Sequence, residues 1–432
     1  MNSVKEVLEK RGRGGPWGLA SYCTSHPLVL EACMETVRDS GQVLLVEATA
    51  NQVNQYGGYT GMKPKDFIRY IEEIAIRADF PRERLLAGGD HLGPLVWASE
   101  PEEKAMEKAR VLVREFVLAG FAKIHLDTSM RLGDDSRENP LSTEVIARRG
   151  AILYGEALRA YEERKALQPE AIRPVFVIGS EVPIPGGSQE GEDTVAVTRP
   201  EDFADTVETY RRVFAEAGYP DAFQDILAVV VQPGVEFGEN SVHEYNRRAA
   251  RELTESLKQY PGLVFEGHST DYQSQEALRQ MAEDGIAILK VGPALTFALR
   301  EALFQLESME RELVPEGARS HLAAVLDWVM VQEPENWEKH YHGKEKELAL
   351  ARKYSYSDRC RYYIGKTEVE EAIERLLKNL ERWKPAMSML HQYMPVQYQR
   401  VRWGILTDKP RELLKDAVAR VVEQYQRAVG AQ

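Results

Sequence analysis

Short apolar runs rich in β-branched residues alternate with longer segments of helical periodicity from residue 17 to residue 312. Runs such as Ile226–Val231 are apolar throughout, which is typical of parallel strands buried on both faces. The short runs predict strands at 17–22, 42–48, 84–89, 122–127, 173–179, 225–231, 262–267 and 286–291. The longer segments predict helices near 27–40, 64–78, 100–119, 143–166, 200–216, 243–258, 274–285 and 296–312. Eight such units predict an α/β fold, a (β/α)8 TIM barrel.

A doubly wound parallel sheet is the alternative arrangement, because eight strand–helix units do not by themselves require closure. The chain has no dinucleotide-binding fingerprint and no Walker motif to favour that alternative. From about residue 315 the strand signals stop, and patterns such as Val369–Leu377 place apolar residues at helical spacing. We therefore expect a barrel over residues 1–314 and a helical C-terminal extension over residues 315–432 that packs on the barrel.

Composition limits the partners of the chain more than its fold. A net charge of −13 argues against nucleic acid as the main partner. Three scattered cysteines, Cys23, Cys33 and Cys360, indicate a reducing compartment rather than a disulfide framework. No apolar run reaches membrane-spanning length. We expect a cytoplasmic protein with no nucleic-acid or membrane partner, and a homo-oligomer, because large barrels commonly associate.

The predicted strand ends carry polar residues, and (β/α)8 barrels place their catalytic groups at the carboxyl ends of the strands. The third strand runs into Asp90 and His91, a proton-transfer group beside a candidate metal ligand. The second strand ends at Glu47 and leads into an amide-rich loop with Asn51 and Gln52, whose polar groups suit sugar hydroxyls. We assign Asp90 to catalysis and the other three polar residues, Glu47, Asn51 and Gln52, to substrate binding.

Three further strands end in titratable residues. Asp127 is expected at the lip of the barrel, whereas His125, at the same strand parity, is expected to be a satisfied structural histidine. Glu181 follows the fifth strand, and Glu266 and His268 share parity at the end of the seventh. Such residues indicate a divalent transition-metal site for Zn, Mn, Co or Ni. The predicted ligands are His91, Glu181 and His268. The alternative is that these mouth residues pair with one another.

Glycine-rich loops after the last two strands stand where such barrels usually bind phosphate. They contribute Gly267 and Ser269 after the seventh strand, and Lys290 and Gly292 at the eighth. Lys290 lies between apolar residues, which makes an ordinary surface lysine the weaker interpretation. We assign all four residues to substrate binding.

The C-terminal region contains one further candidate. Its segment 354–363 is rich in Tyr and Arg. It would either cap the barrel mouth and supply Arg359 or Arg361 to an anion, or pack as a helix with solvated charges.

Several segments together closely resemble one known family. They are Gly88–Gly93, Asn51–Gly61, Gln232–Phe237, Gly267–Tyr272 and Lys290–Arg300, and residues 354–363 also look like the C-terminal region of that family. The chain resembles the GatZ/KbaZ family of tagatose-1,6-bisphosphate aldolase subunits over nearly its whole length. The resemblance implies a TIM barrel related to the class II, metal-dependent aldolases.

The resemblance to catalytic class II aldolases is partial at the metal site. Asp90 and His91 match the Asp-His pair of those enzymes, in which the acid transfers protons and the imidazole binds zinc. Their strand-six histidine has no counterpart, since Gln232 and Pro233 stand in that region. Their strand-seven His-Gly is replaced by Glu266-Gly267, and His268 is displaced by two positions. The usual three-histidine zinc site is therefore not predicted. We include Gln232 among the substrate-binding residues.

Two functions follow from these observations. The convergence of acids and histidines on one mouth favours a metal-dependent aldol or retro-aldol enzyme for ketohexoses or their phosphates of the tagatose and fructose type. It would catalyse C4 epimerisation or tagatose-bisphosphate cleavage. The predicted catalytic residues are Asp90, Asp127, Glu181 and Glu266. The alternative, implied by the family, is a non-catalytic subunit that stabilises a catalytic class II aldolase subunit.

Overall fold

Eight parallel strands close into a barrel in the computed structural model, which describes residues 2–138, 140–182 and 195–430. Each strand pairs with its neighbours in sequence, and the last pairs with the first. The barrel strands are β1 Leu19–Cys23, β2 Leu44–Thr49, β3 Leu85–Leu92, β4 Lys123–Leu126, β5 Val175–Ile178, β6 Ile226–Val231, β7 Val264–Gly267 and β8 Ile286–Val291. The predicted (β/α)8 barrel is confirmed, and closure excludes the doubly wound sheet.

The barrel interior changes from apolar to ionic along its axis. Its amino-terminal end is filled by Leu19, Leu45 and Leu86, and it is closed by Val4 of the short helix α1, Ser3–Glu9. Because side chains alternate along a strand, the inward residue two positions after Leu45 is Glu47. This second inward layer of polar residues lies toward the carboxyl ends of the strands. Packing therefore anchors one end of the barrel and leaves the other end for polar side chains.

Helices surround the barrel and connect its strands. They are α2 Pro27–Arg38, α3 Pro64–Arg77, α4 Glu102–Ala119, α5 Thr143–Leu167, α6 Pro200–Glu216, α7 Arg251–Ser256, α8 Gln275–Glu283 and α9 Pro293–Leu313. The segment between β6 and β7 differs from the prediction of one helix over 243–258. A two-stranded hairpin, Glu236–Phe237 with Val242–His243, precedes a helix of only six residues, α7.

The region after α9 is helical, as predicted. Its helices are α10 Leu322–Gln332, α11 Glu345–Tyr354, α12 Thr367–Arg382, α13 Met387–Tyr393, α14 Pro395–Arg402 and α15 Pro410–Val429. The last helix contacts α2, α8 and α9. It therefore lies in the outer ring between α8 and α2, and the Trp17 N–H donates to the Val429 carbonyl at 2.7 Å. Among the described residues, no helix is both long and apolar enough to cross a membrane.

Candidate active site

The carboxyl ends of β2, β3, β4, β7 and β8 bring a set of buried polar side chains together. The set consists of Glu47, Asp90, His91, Lys123, His125, Asp127, Glu266, His268 and Lys290. Parallel strands present these ends at one side of the barrel, and residues two apart on a strand share a face. This explains why His125 and Asp127, and likewise Glu266 and His268, reach the same region.

A bulge in β3 delivers two consecutive residues to the site. The register against β4 shifts between Gly89 and Leu92, and His91 has a positive φ of 47°. The His91 backbone N–H donates to Asp90 Oδ1 at 2.9 Å. In a regular strand Asp90 and His91 would face opposite sides, so the irregularity allows both to join one cluster.

Three imidazoles form the centre of the cluster. The rings of His91, His125 and His268 have centroids between 4.9 and 5.2 Å apart. Each ring has one nitrogen on a different carboxylate: His91 Nδ1 on Asp127 at 2.7 Å, His125 Nδ1 on Asp90 at 2.9 Å, and His268 Nε2 on Glu266 at 2.9 Å. Since an ionised carboxylate only accepts, each facing nitrogen carries the proton. In a neutral ring the other nitrogen then keeps its lone pair.

This arrangement fits a metal ion. Ligand atoms of Asp90, His91, His125 and His268 all lie within 4.8 Å of one another. His125 Nε2 is buried and has no hydrogen-bond partner in the described part of the chain. Burial, assisted by the nearby Lys290, lowers the pKa of His268 to about 3. The imidazole is then neutral, which is the form that binds metals.

Two lysines and the same carboxylates form an ionic network beneath the histidines. Lys123 Nζ lies 2.6 Å from Glu47 and 2.7 Å from Glu266, and Lys290 contacts Asp90 and lies 3.3 Å from Glu47. Burial alone would raise the pKa of Asp90, but His91 and Lys290 outweigh it and hold that pKa well below its usual range. Burial likewise opposes ionisation of Asp127, and the hydrogen bond from His91 overcomes it and lowers that pKa.

The carboxylates of this group outnumber its ammonium groups. Four carboxylates face two ammonium groups, an excess of two acidic side chains, and the low pKa of His268 keeps that imidazole from contributing a positive charge. The carboxylates are Glu47, Asp90, Asp127 and Glu266, and the ammonium groups are Lys123 and Lys290. Uncompensated charge in a buried site is costly. A divalent cation would compensate this surplus.

A cavity opens above the cluster. Its lining includes Asp90, His91, His268 and Lys290, together with the predicted substrate-binding residues Asn51, Gln52, Ser269 and Gly292. The C-terminal extension contributes Arg361 and Tyr362, and the rings of Tyr362 and Tyr59 meet edge to face at 4.9 Å. Arg359 points away, with its guanidinium 3.0 Å from the Asn336 carbonyl.

Six predicted site residues lie outside the cavity lining, and two of them, Asp127 and Glu266, belong to the histidine cluster beneath it. Glu181 is exposed, accepts a hydrogen bond from Thr198 at 2.8 Å and does not join the histidine cluster. Gln232 Oε1 accepts the backbone N–H groups of the turn that follows it. A Cβ on Gly267 would meet Ile286, so this glycine packs against β8. Glu47 is wholly buried between two lysines.

Three residues of the site were not among the predicted ones. His125 was expected to be structural, although its parity with Asp127 already indicated the barrel interior. Lys123 is fully buried on β4. Asp271 lines the cavity, and its Oδ1 accepts the N–H of Gly292 at 3.0 Å. The sequence signal for Asp271 was its place three residues after His268.

The fold and this cluster define the protein as a (β/α)8 barrel with a group of Asp and His residues that could hold a metal ion at its ligand-binding end. The family profile described as “D-tagatose-1,6-bisphosphate aldolase subunit GatZ/KbaZ-like” matches residues 4–430. The chain therefore belongs to the GatZ/KbaZ-like family, and the resemblance inferred from its motifs is confirmed.

Individual relatives cover almost the whole chain. A protein from Salmonella agona (strain SL483), named “D-tagatose-1,6-bisphosphate aldolase subunit GatZ”, is 44% identical over 422 residues, 98% of each chain. A protein of the same name from Salmonella dublin is 43% identical over 422 residues, again 98% of each chain. A solved structure described as a probable tagatose 6 phosphate kinase from Sinorhizobium meliloti 1021 has 43% identity and a TM-score of 0.86. It covers 95% of this chain and 100% of that one.

Proposed function

We propose that this chain is a metal-dependent enzyme that breaks and re-forms the C3–C4 bond of ketohexoses or ketohexose phosphates. The observation that carries the proposal is the set of three imidazoles, each fixed by its own carboxylate. A protein that only stabilises a partner has no use for three buried, oriented histidines and a cavity above them.

His91, His125 and His268 would hold the metal ion, a transition metal suited to nitrogen and oxygen ligands such as Zn, Mn, Co or Ni. A divalent cation bound there supplies Lewis acidity, which polarises a ketone and stabilises the negative charge that develops beside it. Asp127 and Glu266 orient His91 and His268. Lys123 holds Glu266 in place from the other side.

Asp90 is the proton-transfer group of the proposed reaction. Its carboxylate lines the cavity, is kept ionised by His91 and Lys290, and can therefore accept the proton of the C4 hydroxyl. As that proton moves to Asp90, the C4–O electrons form the aldehyde. The C3–C4 bond breaks, and its electron pair remains on the ketone half as an enediolate. The reverse steps return the proton to the C4 oxygen.

C4 epimerisation follows if the aldehyde turns before the bond re-forms. Addition to the opposite face of the aldehyde inverts C4, and fructose and tagatose differ only at that carbon. Direct removal of the C4 hydrogen is harder because that carbon is not adjacent to the ketone. No redox partner or second substrate is needed, and the atoms balance.

Deuterium labelling tests the reaction and its route together. We expect the metal-loaded protein to convert fructose or fructose 6-phosphate into the corresponding tagatose sugar in D2O, with no deuterium at C4 of the product. NMR of the product measures the extent of conversion and the deuterium content at C4. No conversion of any free, monophosphorylated or bisphosphorylated sugar would overturn the proposed function, and deuterium at C4 would overturn the retro-aldol route.

Two single substitutions of histidine, one inside the site and one outside it, serve as test and control in this assay. His125→Ala removes a predicted ligand, and we expect it to lower both bound metal and turnover at least about a hundredfold, since a missing ligand disrupts both. His391→Ala removes an exposed histidine that stacks on Tyr398, and we expect it to keep both. Metal content by elemental analysis is measured on the same samples.

The second candidate function is a stabilising subunit, because relatives of nearly equal length carry the word subunit in their names. It predicts a chain that is inert alone and raises the activity or thermal stability of a catalytic aldolase when the two are mixed. Omitting ATP from every assay also separates the proposed reaction from the kinase activity in the description of the Sinorhizobium protein.

A further inference from the structure

A carboxylate already occupies the position at which (β/α)8 barrels usually bind phosphate. In (β/α)8 barrels, phosphate binds to backbone N–H groups after the last strands and at the start of the next helix. Here the N–H groups of Gly292 and Ala294, at the start of α9, both donate to Asp271 Oδ1, at 3.0 and 2.8 Å. Asp271 is buried, with 2% of its surface exposed. Its negative charge stands where a phosphate would bind, and it would repel one.

Lys290, the lysine predicted to bind a phosphate at this position, is also already paired with carboxylates. Lys290 contacts Asp90 and lies 3.3 Å from Glu47. Its single positive charge is thus shared by two carboxylates. Neither the N–H groups of Gly292 and Ala294 nor Lys290 remain available to neutralise a phosphate dianion.

A cation without a carboxylate partner lies elsewhere on the same cavity. The Arg361 guanidinium donates to the carbonyls of Ser357 and Asp358 and to the Tyr362 hydroxyl at 2.9 Å. It stacks 4.4 Å from the centroid of the Tyr362 ring. It forms no ion pair with a carboxylate of the described residues, although it is near enough to Asp271 and Asp358 to counteract the rise that burial causes in the pKa of each. These contacts fix the guanidinium and leave its charge for a ligand.

We infer that the cavity binds a ketohexose with one phosphate ester, held by Arg361, and that Asp271 excludes a second phosphate. The inference rests on the proposed function for the sugar and goes beyond it by selecting the monophosphate over both the free sugar and the bisphosphate. The C-terminal extension then determines specificity, because Arg361 comes from it.

Calorimetry on the full, metal-loaded chain tests this inference without relying on turnover. The probes are fructose, fructose 1-phosphate, fructose 6-phosphate and fructose 1,6-bisphosphate. We expect one monophosphate to bind about tenfold or more tighter than fructose, as a charge-assisted contact allows. We expect the bisphosphate to bind no tighter than that monophosphate.

Substitutions assign the effect to the two residues. We expect Arg361→Gln to remove the preference for the monophosphate over fructose, and Arg361→Lys to retain part of it. Arg359→Gln, in the same turn but away from the cavity, is the matched control and should keep the preference. Asp271→Ala frees the N–H groups of Gly292 and Ala294, so the affinity for the bisphosphate should rise.

The outcomes separate this inference from the proposed function. Tightest binding of the bisphosphate by the unmodified chain, or an unchanged monophosphate preference in a folded Arg361→Gln variant, overturns the inference. If no chemistry occurs but Arg361 still determines monophosphate binding, the inference stands and the proposed function fails. If all four probes bind equally, no phosphate site exists and the inference is wrong.

Discussion

Lys290 is a buried amine at the mouth of the barrel, and its protonation state separates two routes of aldol chemistry. Burial alone would lower the pKa of Lys290, but Asp90 and Glu47 outweigh it and raise that pKa above its usual value. The ammonium form has no lone pair with which to attack a ketone. We expect borohydride added with fructose 6-phosphate to leave the mass of the protein unchanged. A reduced sugar adduct on Lys290 by mass spectrometry would instead establish a Schiff-base route.

Asp271 makes stability depend on pH in a direction that can be calculated. Burial raises its pKa from 3.8 to about 6, so the folded protein favours the protonated acid. Its contribution to stability is complete below pH 4 and is lost as pH rises through 6. Asp271→Asn stays neutral, and should therefore gain up to about 3 kcal/mol over the unmodified chain at pH 8 and much less at pH 4.

Thermal unfolding of the two proteins at pH 4 and pH 8 measures this difference. Asp408→Asn, at an exposed position, is the control and should show no such pH-dependent gain. Equal melting temperatures of Asp271→Asn and the unmodified chain at pH 8 would contradict the assignment of a burial penalty to Asp271.

Single residues also show where sequence reasoning reached its limit. The strand-end rule located Asp90, His91 and His268, because residue order alone decides which side chains stand at the ends of strands. It selected Glu181 rather than His125 as the partner of these residues, whereas the structure places His125 beside them. Strand parity gives a face but not a distance, and only packing brings the His125 ring within 5.1 Å of His91. The role of Glu181 as a ligand stays a prediction without support from this cluster.

At the scale of elements, α15 is tied to the loop that carries the site. The Tyr425 hydroxyl donates to the Thr270 carbonyl at 2.6 Å, two residues beyond His268, and both residues are fully buried or nearly so. Tyr425→Phe leaves that carbonyl without its donor, so we expect a loss of about 1–3 kcal/mol of stability. Tyr354→Phe, at a half-exposed tyrosine, should lose little. Chemical denaturation of both variants tests this, and equal losses would contradict it.

Elements with a strong period were predictable and irregular ones were not. The predicted strand at 286–291 is β8 residue for residue, because Gly285 and Gly292 bound this mostly apolar run on both sides. The predicted strand at 84–89 continues to Leu92 through the bulge at His91. A bulge depends on the register of two strands, which no single segment encodes. The helix predicted over 243–258 is present only at Arg251–Ser256, after a hairpin whose second strand ends at His243.

The whole molecule was predictable as a barrel because eight repeated strand–helix units allow few topologies, and the sequence has no dinucleotide-binding or Walker motif to favour the doubly wound alternative. The place of α15 in the outer ring was not, since it depends on contacts between segments nearly 400 residues apart, such as Arg411 with Glu31 at 2.8 Å. The division at residue 314 stays a prediction. A helix of the extension that lies between α8 and α2 nevertheless argues that the two regions unfold together.

Because four buried carboxylates face only two ammonium groups in the site, we expect the stability of the whole molecule to depend on a divalent cation. An ion that binds only the folded chain stabilises it by about 2.7 kcal/mol when its free concentration is a hundred times its Kd. We therefore expect Zn, Mn, Co or Ni to raise the melting temperature of chelator-treated protein, and EDTA to reverse the rise. The same addition to His125→Ala should raise it far less, whereas His391→Ala should respond like the unmodified chain. Equal shifts in both variants would mean that the ion stabilises the protein from another site, and the charge argument for the histidine cluster would then fail.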